Sequence, residues 1–531
     1  MAAEPIEAVA PSQPPTDDAT ESAARSFPVA TLLDRAWLEH LAVRLDPRRH
    51  PSVPGPVAVA DVLRSLPQPP ARSAAPRGVR LAPRSMAAGP LFAGSRNVRT
   101  AALLATLSRA LDAAERLPDG HATATAYIGL RLGAAAGLSD RECSDLLYAA
   151  LLKDAGSVGY DPDQDDGPVP AYLSRATRVK AVVRSLGLPV GVGRTIELSL
   201  LPWSFGPAGL SDEAIPRPAR VLAVAAAAAR ALQTRPPGDP VRALRSRRGS
   251  DCDPELVDLA LGLGRLGLWD EVTSPDLPTR LLELEPAHLA RISDAAAVDA
   301  VCATFADLVD TRTPSLGRHG ARVAEQAVRL AEHMGLDSHI VQDVRRAGLL
   351  HDVGKLTVPM SILEKAGPLS PAERSLVDRH AEAGAAVLAD TPFLEPVARM
   401  IGAHHEPLDG SRRPAPQDDG HAVAARVLAI ADRFVGLCSE RPYRRALPPD
   451  QVVLVLEGAV TEPIGRRVLD ALRAELPDPE PDDADEASAE GSDAGQAAPA
   501  NDERAKVDSA HAEAADAQPA DAELLEAPSR A

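Results

Sequence analysis

Aromatic residues make up only 3% of this 531-residue chain, and there are four cysteines, five lysines and no long uninterrupted apolar run. Cys143, Cys252, Cys302 and Cys438 lie far apart and form no C-x-x-C pair, which excludes both a disulfide framework and a zinc module. There is no basic excess. A net charge of −18 argues against a general nucleic-acid binder, which needs a cationic footprint, and favours solubility over docking on an anionic membrane. The most apolar stretch, Ala219 to Leu232, is mostly alanine, carries Arg220 and Arg230, and is too short to span a bilayer. The opening Met1–Ala2–Ala3–Glu4 lacks the basic and apolar regions of a signal peptide, so a cytoplasmic, soluble protein is expected. Period-two alternation is nearly absent and much of the 45% hydrophobic content is alanine, which predicts an all-α fold.

The length predicts two domains flanked by tails. Residues 1–95 are rich in Pro, Ala, Ser and Arg and read as largely disordered, with one amphipathic helix possible in composition over Ala30 to Leu45. Residues 476–531 are acidic, poor in large apolar side chains, and expected to be disordered because they cannot offset chain entropy by burial. Between the tails, helical periodicity starts near Asn97. Leu103, Leu107, Ala110 and Leu111 share one face; Tyr127, Leu130 and Ala134 lead to a C-terminal Gly137; Ser139 and Glu142 spell a capping box. A last helical segment is expected from Val452 to Leu476, with Arg466 and Arg467 on its polar side.

The plan is repeated. His121, Gly137 and Asp154 recur as His319, Gly335 and Asp352 at one offset of 198 residues, and Arg220 to Ala226 is echoed by Arg426 to Asp432 at an offset of 206. The chemistry is not repeated: His351 corresponds to Lys153, Lys355 to Ser157, and Asp432 to Ala226. Residues 96–285 are therefore read as a degenerate copy of residues 286–475.

In the second copy, Leu349–Leu–His–Asp–Val–Gly–Lys355 closes an apolar helical run. His319, His380, His404, His405 and Asp432 each lie where a helix face turns inward, with His380 expected in register with Leu376, Gly384 and Leu388 on a helix starting at Ser370–Pro371. Burying these imidazoles and carboxylates together with His351 and Asp352 is costly unless metal ions compensate. The mixed N/O set suits Fe, Mn or Zn, and exceeds what one ion accepts, so two divalent ions are expected. Asp352 is the natural bridge, a water between the ions is the natural nucleophile, and Lys355, one turn on, can stabilise a phosphoryl oxygen.

These segments, with Pro359-x-x-Ile–Leu-x-Lys–Ala–Gly-x-Leu369, His404–His–Glu-x-x-Asp–Gly410 and Arg441–Pro–Tyr–Arg444, resemble the HD-GYP group of the HD phosphohydrolase superfamily. The resemblance implies a duplicated HD-type helical bundle, and a cyclic di-GMP phosphodiesterase in bacterial signalling with Fe or Mn as cofactor. It implies metal ligands at His319, His351, Asp352, His380, His404, His405 and Asp432, and Lys355 on the phosphate side. Two positions depart from the family pattern. Ser315 replaces the Glu of three-metal members, which favours two ions, and Arg412–Arg413–Pro414 replaces Gly-Tyr-Pro. Arg412 and Arg413, with Arg322, are candidate substrate contacts. Two alternatives follow: an HD phosphohydrolase acting on another nucleotide or phosphoester, and a signalling or scaffold protein of weak activity. A homodimer or signalling partner is compatible with the sequence; DNA and membrane partners are not expected.

Overall fold

The computed structural model describes residues 98–158, 168–204, 211–233, 238–312, 317–365, 367–409, 411, 420–440 and 445–476, with backbone alone over 168–173. The expectations for both tails and for the Ala30 to Leu45 helix, and those for Ser315, Arg412, Arg413 and the Arg441 to Arg444 segment, lie outside these residues.

The described chain is all-α apart from one two-residue ribbon. Strand β1 (Val98–Arg99) leads into α1 (Thr100–Ala114), α2 (His121–Ala135), α3 (Asp140–Leu152), α4 (Pro168–Ser185) and α5 (Val190–Ser199). Then come α6 (Arg217–Gln233), α7 (Pro240–Arg247), α8 (Pro254–Arg265), α9 (Leu268–Val272) and α10 (Leu277–Leu284). Strand β2 (Ile292–Ser293) pairs antiparallel with β1, Val98 opposite Ser293 and Arg99 opposite Ile292, and so ties the start of one half to the start of the other. The second half contains α11 (Ala295–Asp310), α12 (His319–His333), α13 (Ser338–Leu350), a 3₁₀ turn over Val353–Thr357, and α14 (Met360–Leu363). It continues with α15 (Pro371–Asp378), α16 (His380–Ala389), α17 (Glu395–Ala403), α18 (Gly420–Leu437), α19 (Pro449–Ala459) and α20 (Pro463–Glu475).

Local signals act where the sequence places them. The side chains of Ser139 and Glu142 close a capping box on α3, and those of Ser370 and Glu373 close one on α15. Gly137 and Gly335 take left-handed conformations just past α2 and α12. The helices of the two halves match in length: α2 and α12 have 15 residues, α3 and α13 have 13. In each half a pair of helices packs on a third, α2 with α3 and α6, α12 with α13 and α18. Most buried apolar side chains form one contiguous core from Val98 to Leu472, with small satellites around Leu198 and Ile215 and around Val358 and Val377.

Two details differ from the expected pattern. The helix presumed continuous from Ser370 through His380 breaks at Arg379, so Leu376 falls out of register with His380 and is 40% exposed. The segment from Val452 to Leu476 divides at Val460 to Glu462 into α19 and α20, with Pro463 opening the second helix; Arg466 and Arg467 are exposed on it.

Candidate metal centre

Every histidine and aspartate singled out in the second half sits at a helix terminus or on its buried side, and seven of them converge. His319 opens α12, His351 and Asp352 end α13, His380 opens α16, His404 and His405 follow α17, and Asp432 lies mid-way along α18. Burial is near complete: His351 is 1% exposed, His404 0%, His380 3% and His319 3%. Gly354 makes this convergence possible, because a Cβ there would stand 1.9 Å from the His380 carbonyl oxygen. Only a glycine lets the turn that follows Asp352 lie against the start of α16.

Three imidazoles are fixed by the same device. Nδ1–H of His351 donates to the Gly348 carbonyl at 2.8 Å, that of His380 to Val377 at 2.7 Å, and that of His404 to Ile401 at 2.6 Å. Each bond spans three residues, ends on a carbonyl in the last turn of a helix, and turns Nε2 inward. The same outer contacts orient imidazoles in metalloproteins. On the inside, His380 Nε2 lies 3.4 Å from His404 Nε2 and 3.2 Å from His405 Nε2, and His351 Nε2 has no hydrogen-bond partner. Converging lone pairs in a buried space call for a cation.

The donors fall into two groups, His380 with His404 and His405, and His319 with His351 and Asp352. Asp352 faces both: Oδ1 lies 3.3 Å from His380 Nε2, while Oδ2 lies 3.3 Å from His351 Nε2 and accepts from Lys355 Nζ at 2.8 Å. Asp432 Oδ1 is 3.1 Å from His319 Nε2 and 3.5 Å from His351 Nε2. This arrangement could hold one cation in each group with a carboxylate between them, and its mixed N/O character fits a first-row transition ion.

The electrostatics are those of a donor site. Burial, reinforced by the charge of His405, holds His404 neutral well below the ordinary histidine range, and burial brings His405 down to about 3. Burial opposes ionisation of Asp352 and Asp432, but the neighbouring imidazoles prevail and hold both carboxyls well below the usual carboxylate range. His351 is the counterpart. Burial works to lower it, yet Asp352 and then Asp432 raise it to about 10, the field of two carboxylates that favours a cation beside this ring.

Arg322 is exposed on α12, and Arg412 and Arg413 are outside the described residues. Two further groups border the centre without having been singled out. Arg433, 5% exposed, donates from Nη1 to the His404 carbonyl at 3.2 Å and the Ala429 carbonyl at 3.0 Å, and from Nη2 to the Glu406 carbonyl at 3.3 Å. It ties the His404–His405 turn to α18 beside Asp432. An arginine next to Asp432 inside the otherwise apolar run from Val427 to Leu437 is its only sequence signal. Asp310, at the end of α11, is pushed up to about 6 by burial and then by the charge of Asp352, and its Oδ2 has no partner among the described residues. A lone aspartate at a helix end gives no sequence signal.

Residues 303–467 match the HD domain family model. The 3'3'-cGAMP-specific phosphodiesterase 3 of Vibrio cholerae is 27% identical over 431 residues, spanning 70% of this chain and 94% of that protein. A cyclic di-GMP phosphodiesterase of Thermotoga maritima is 32% identical over 153 residues, 28% of this chain and 42% of its own. Among solved structures, a cyclic GMP-AMP specific phosphodiesterase of V. cholerae superposes with a TM-score of 0.56 at 27% identity, covering 72% of this chain and 99% of that one. The family match covers the helices from which all seven donors and Lys355 project, so residues 303–467 carry the HD domain.

Proposed function

We propose that residues 303–467 form the catalytic unit of a phosphodiesterase that hydrolyses a cyclic dinucleotide. The observation that carries this reading is the placement of Asp352, one oxygen toward each group of imidazoles and Lys355 on its outer side. The names of the relatives supply the substrate class. His319, His351, Asp352 and Asp432 would hold one divalent ion, and His380, His404 and His405 would hold a second on the other side of Asp352. When bound, such ions polarise a phosphoryl group and lower the pKa of water. The chain's own part is to hold the donors fixed by the Nδ1–H bonds to helix-end carbonyls, to exclude bulk water, and to place the Lys355 ammonium where charge builds on phosphoryl oxygens. Iron or manganese fits the donor set.

Cyclic di-GMP and 3'3'-cGAMP both fall in the proposed class. The second is favoured by one observation: the V. cholerae relative that aligns over both halves of this chain bears a cGAMP-specific name. The first half we read as a copy that has lost its donors, since Lys153 caps α3 where His351 caps α13, and the Lys153 ammonium pairs with Asp154. Its place is support and control of the second half.

The test is metal analysis of the purified protein combined with chromatography of its products from each dinucleotide. Expected are about two ions per chain, lost together with activity in His351→Ala. Intact dinucleotides after incubation with Fe- or Mn-loaded protein, or equal behaviour of wild type and His351→Ala, would overturn the reading.

A further inference from the structure

Away from the donors, a cavity of about 550 Å³ opens on the seam between the halves. Its walls are α1, the N-terminus of α2, the end of α6, the α9–α10 connection and the corner Asp390–Thr391–Pro392 between α16 and α17. That volume lies in the range of small-molecule sites.

Apolar lining comes from Ala102 and Ala105 on α1 with Leu277 and Leu282 on α10. Other lining residues offer hydrogen-bonding groups. Thr123, 5% exposed, has a hydroxyl that bonds to no described residue. Gln233 accepts from His121 Nδ1–H at 2.9 Å, which leaves its amide N–H groups available to the cavity. The charged residues lining it are Arg109, Asp119 and Asp390, and the guanidinium is already engaged by both carboxylates. Among the described residues a phosphate or carboxylate entering would find no uncommitted cation and one net negative charge.

The cavity also touches the helix that carries His380. Arg109 Nε donates to Asp119 Oδ1 at 2.7 Å, while its Nη1 donates to the Val387 carbonyl at 3.2 Å and to Asp390 Oδ2 at 2.9 Å. The first half thus caps the C-terminus of α16, whose N-terminal residue is His380, one helix length of about 15 Å away. Thr106 and Thr391 hydroxyls meet across the same seam at 2.6 Å.

We propose that this cavity is an effector site for an uncharged, flat, hydrogen-bonding molecule of nucleoside size, and that its occupancy is transmitted to the donor cluster through Arg109 and α16. An apolar ring face lies against Ala105 and Leu277, a polar edge meets Thr123 and Gln233, and the ligand bears no phosphate. This goes beyond the catalytic reading and does not depend on it.

The test uses the full-length protein with guanosine and adenosine as probes, titrated by calorimetry, and GMP and AMP as charged controls. Expected is saturable binding of at least one nucleoside, about tenfold weaker in Thr123→Val for the loss of one hydrogen bond, and abolished in Ala105→Leu, which fills the space. His351→Ala should bind as wild type does, which separates this site from the catalytic one. Amide exchange over 380–389 should slow on binding in wild type and not in Ala105→Leu. No nucleoside binding, binding unaltered by both cavity variants, binding of GMP or AMP as tight as that of the nucleosides and equally lost in Ala105→Leu, or unaltered exchange in α16 would overturn the proposal.

Discussion

Gly120 and Arg318 hold the same left-handed backbone, with φ of 76° and 54°, each one residue ahead of the histidine that opens a 15-residue helix. The entry turn is the same, but in the second half it is built with a side chain that opposes it, since a Cβ in this region crowds the following carbonyl. Arg318 is exposed. Arg318→Gly is therefore expected to stabilise the protein by about 0.5–1 kcal/mol. The reverse test, Gly120→Ala, is expected to cost about 1 kcal/mol although nothing lies within 4 Å of the added carbon. Urea unfolding of the two variants measures both signs; a loss of stability in Arg318→Gly would show that the arginine side chain, not its backbone, governs the turn.

The contact of Gly354 with α16 makes a sharper prediction. An added Cβ would lie 1.9 Å from the His380 carbonyl oxygen and 2.7 Å from the Gly384 nitrogen, both backbone atoms that no rotamer change can move. Gly354→Ala should push α16 away from Asp352 and cost more than about 3 kcal/mol, the upper range for overpacking. Gly402→Ala on α17 is the control. Its nearest contact is the Ala385 Cβ at 3.4 Å, and the helix-propensity gain of up to about 1 kcal/mol should leave it neutral or more stable. Thermal melts, with the Mn²⁺-induced rise in Tm as a second readout, separate displacement of the donors from general instability.

The helices and donors were legible because their signals are local. Apolar spacing sets the face, Ser370 and Glu373 set a start, Gly335 sets a stop, and a histidine or aspartate on a buried face is conspicuous where few polar groups belong. What sequence could not carry depends on which helices meet. The break at Arg379 is a tertiary adjustment: α16 follows Gly354 and α1, and α15 is left with Leu376 outward. Arg109 gives no sign in sequence that it would cap a helix 277 residues away, nor Asp310 that it would face Asp352. The ribbon β1–β2 is too short to show a period of two.

Arg433 illustrates how such a hidden contact can be tested. Its guanidinium holds the carbonyls of His404, Ala429 and Glu406, so Arg433→Met removes a buried charge and strands acceptors in the core. The expected cost is about 2–3 kcal/mol. Because two of those carbonyls belong to the turn bearing His404 and His405, Mn²⁺ affinity should fall about 10–100-fold, as for other outer contacts of metal ligands. Arg433→Lys keeps the charge but not the fork, and should recover stability more fully than affinity. Competition titration with a chelating dye reads the affinity; an unchanged value in Arg433→Met would reduce Arg433 to a packing role.

The first half carries a pH dependence of its own. Asp112 is fully buried, its carboxyl oxygens 3.0 and 3.3 Å from the Ala122 N–H, and burial, followed by the charge of Asp154, pushes it up to about 8. Lys153 and the N–H groups of Ala122 and His121 pull the other way without prevailing. In the unfolded chain the same carboxyl ionises near about 4. Between those values the folded protein binds a proton that the unfolded chain does not, so this group's contribution is complete below about pH 4 and lost as pH rises toward about 8. Asp112→Asn keeps an acceptor for Ala122 and cannot ionise. Wild type should thus lose stability relative to Asp112→Asn from about pH 5 to about pH 8, by on the order of 1 kcal/mol per pH unit, with the gap constant above that window. Denaturant unfolding of both proteins across this range gives the difference directly, and parallel profiles would show that Asp112 is ionised in the folded state throughout.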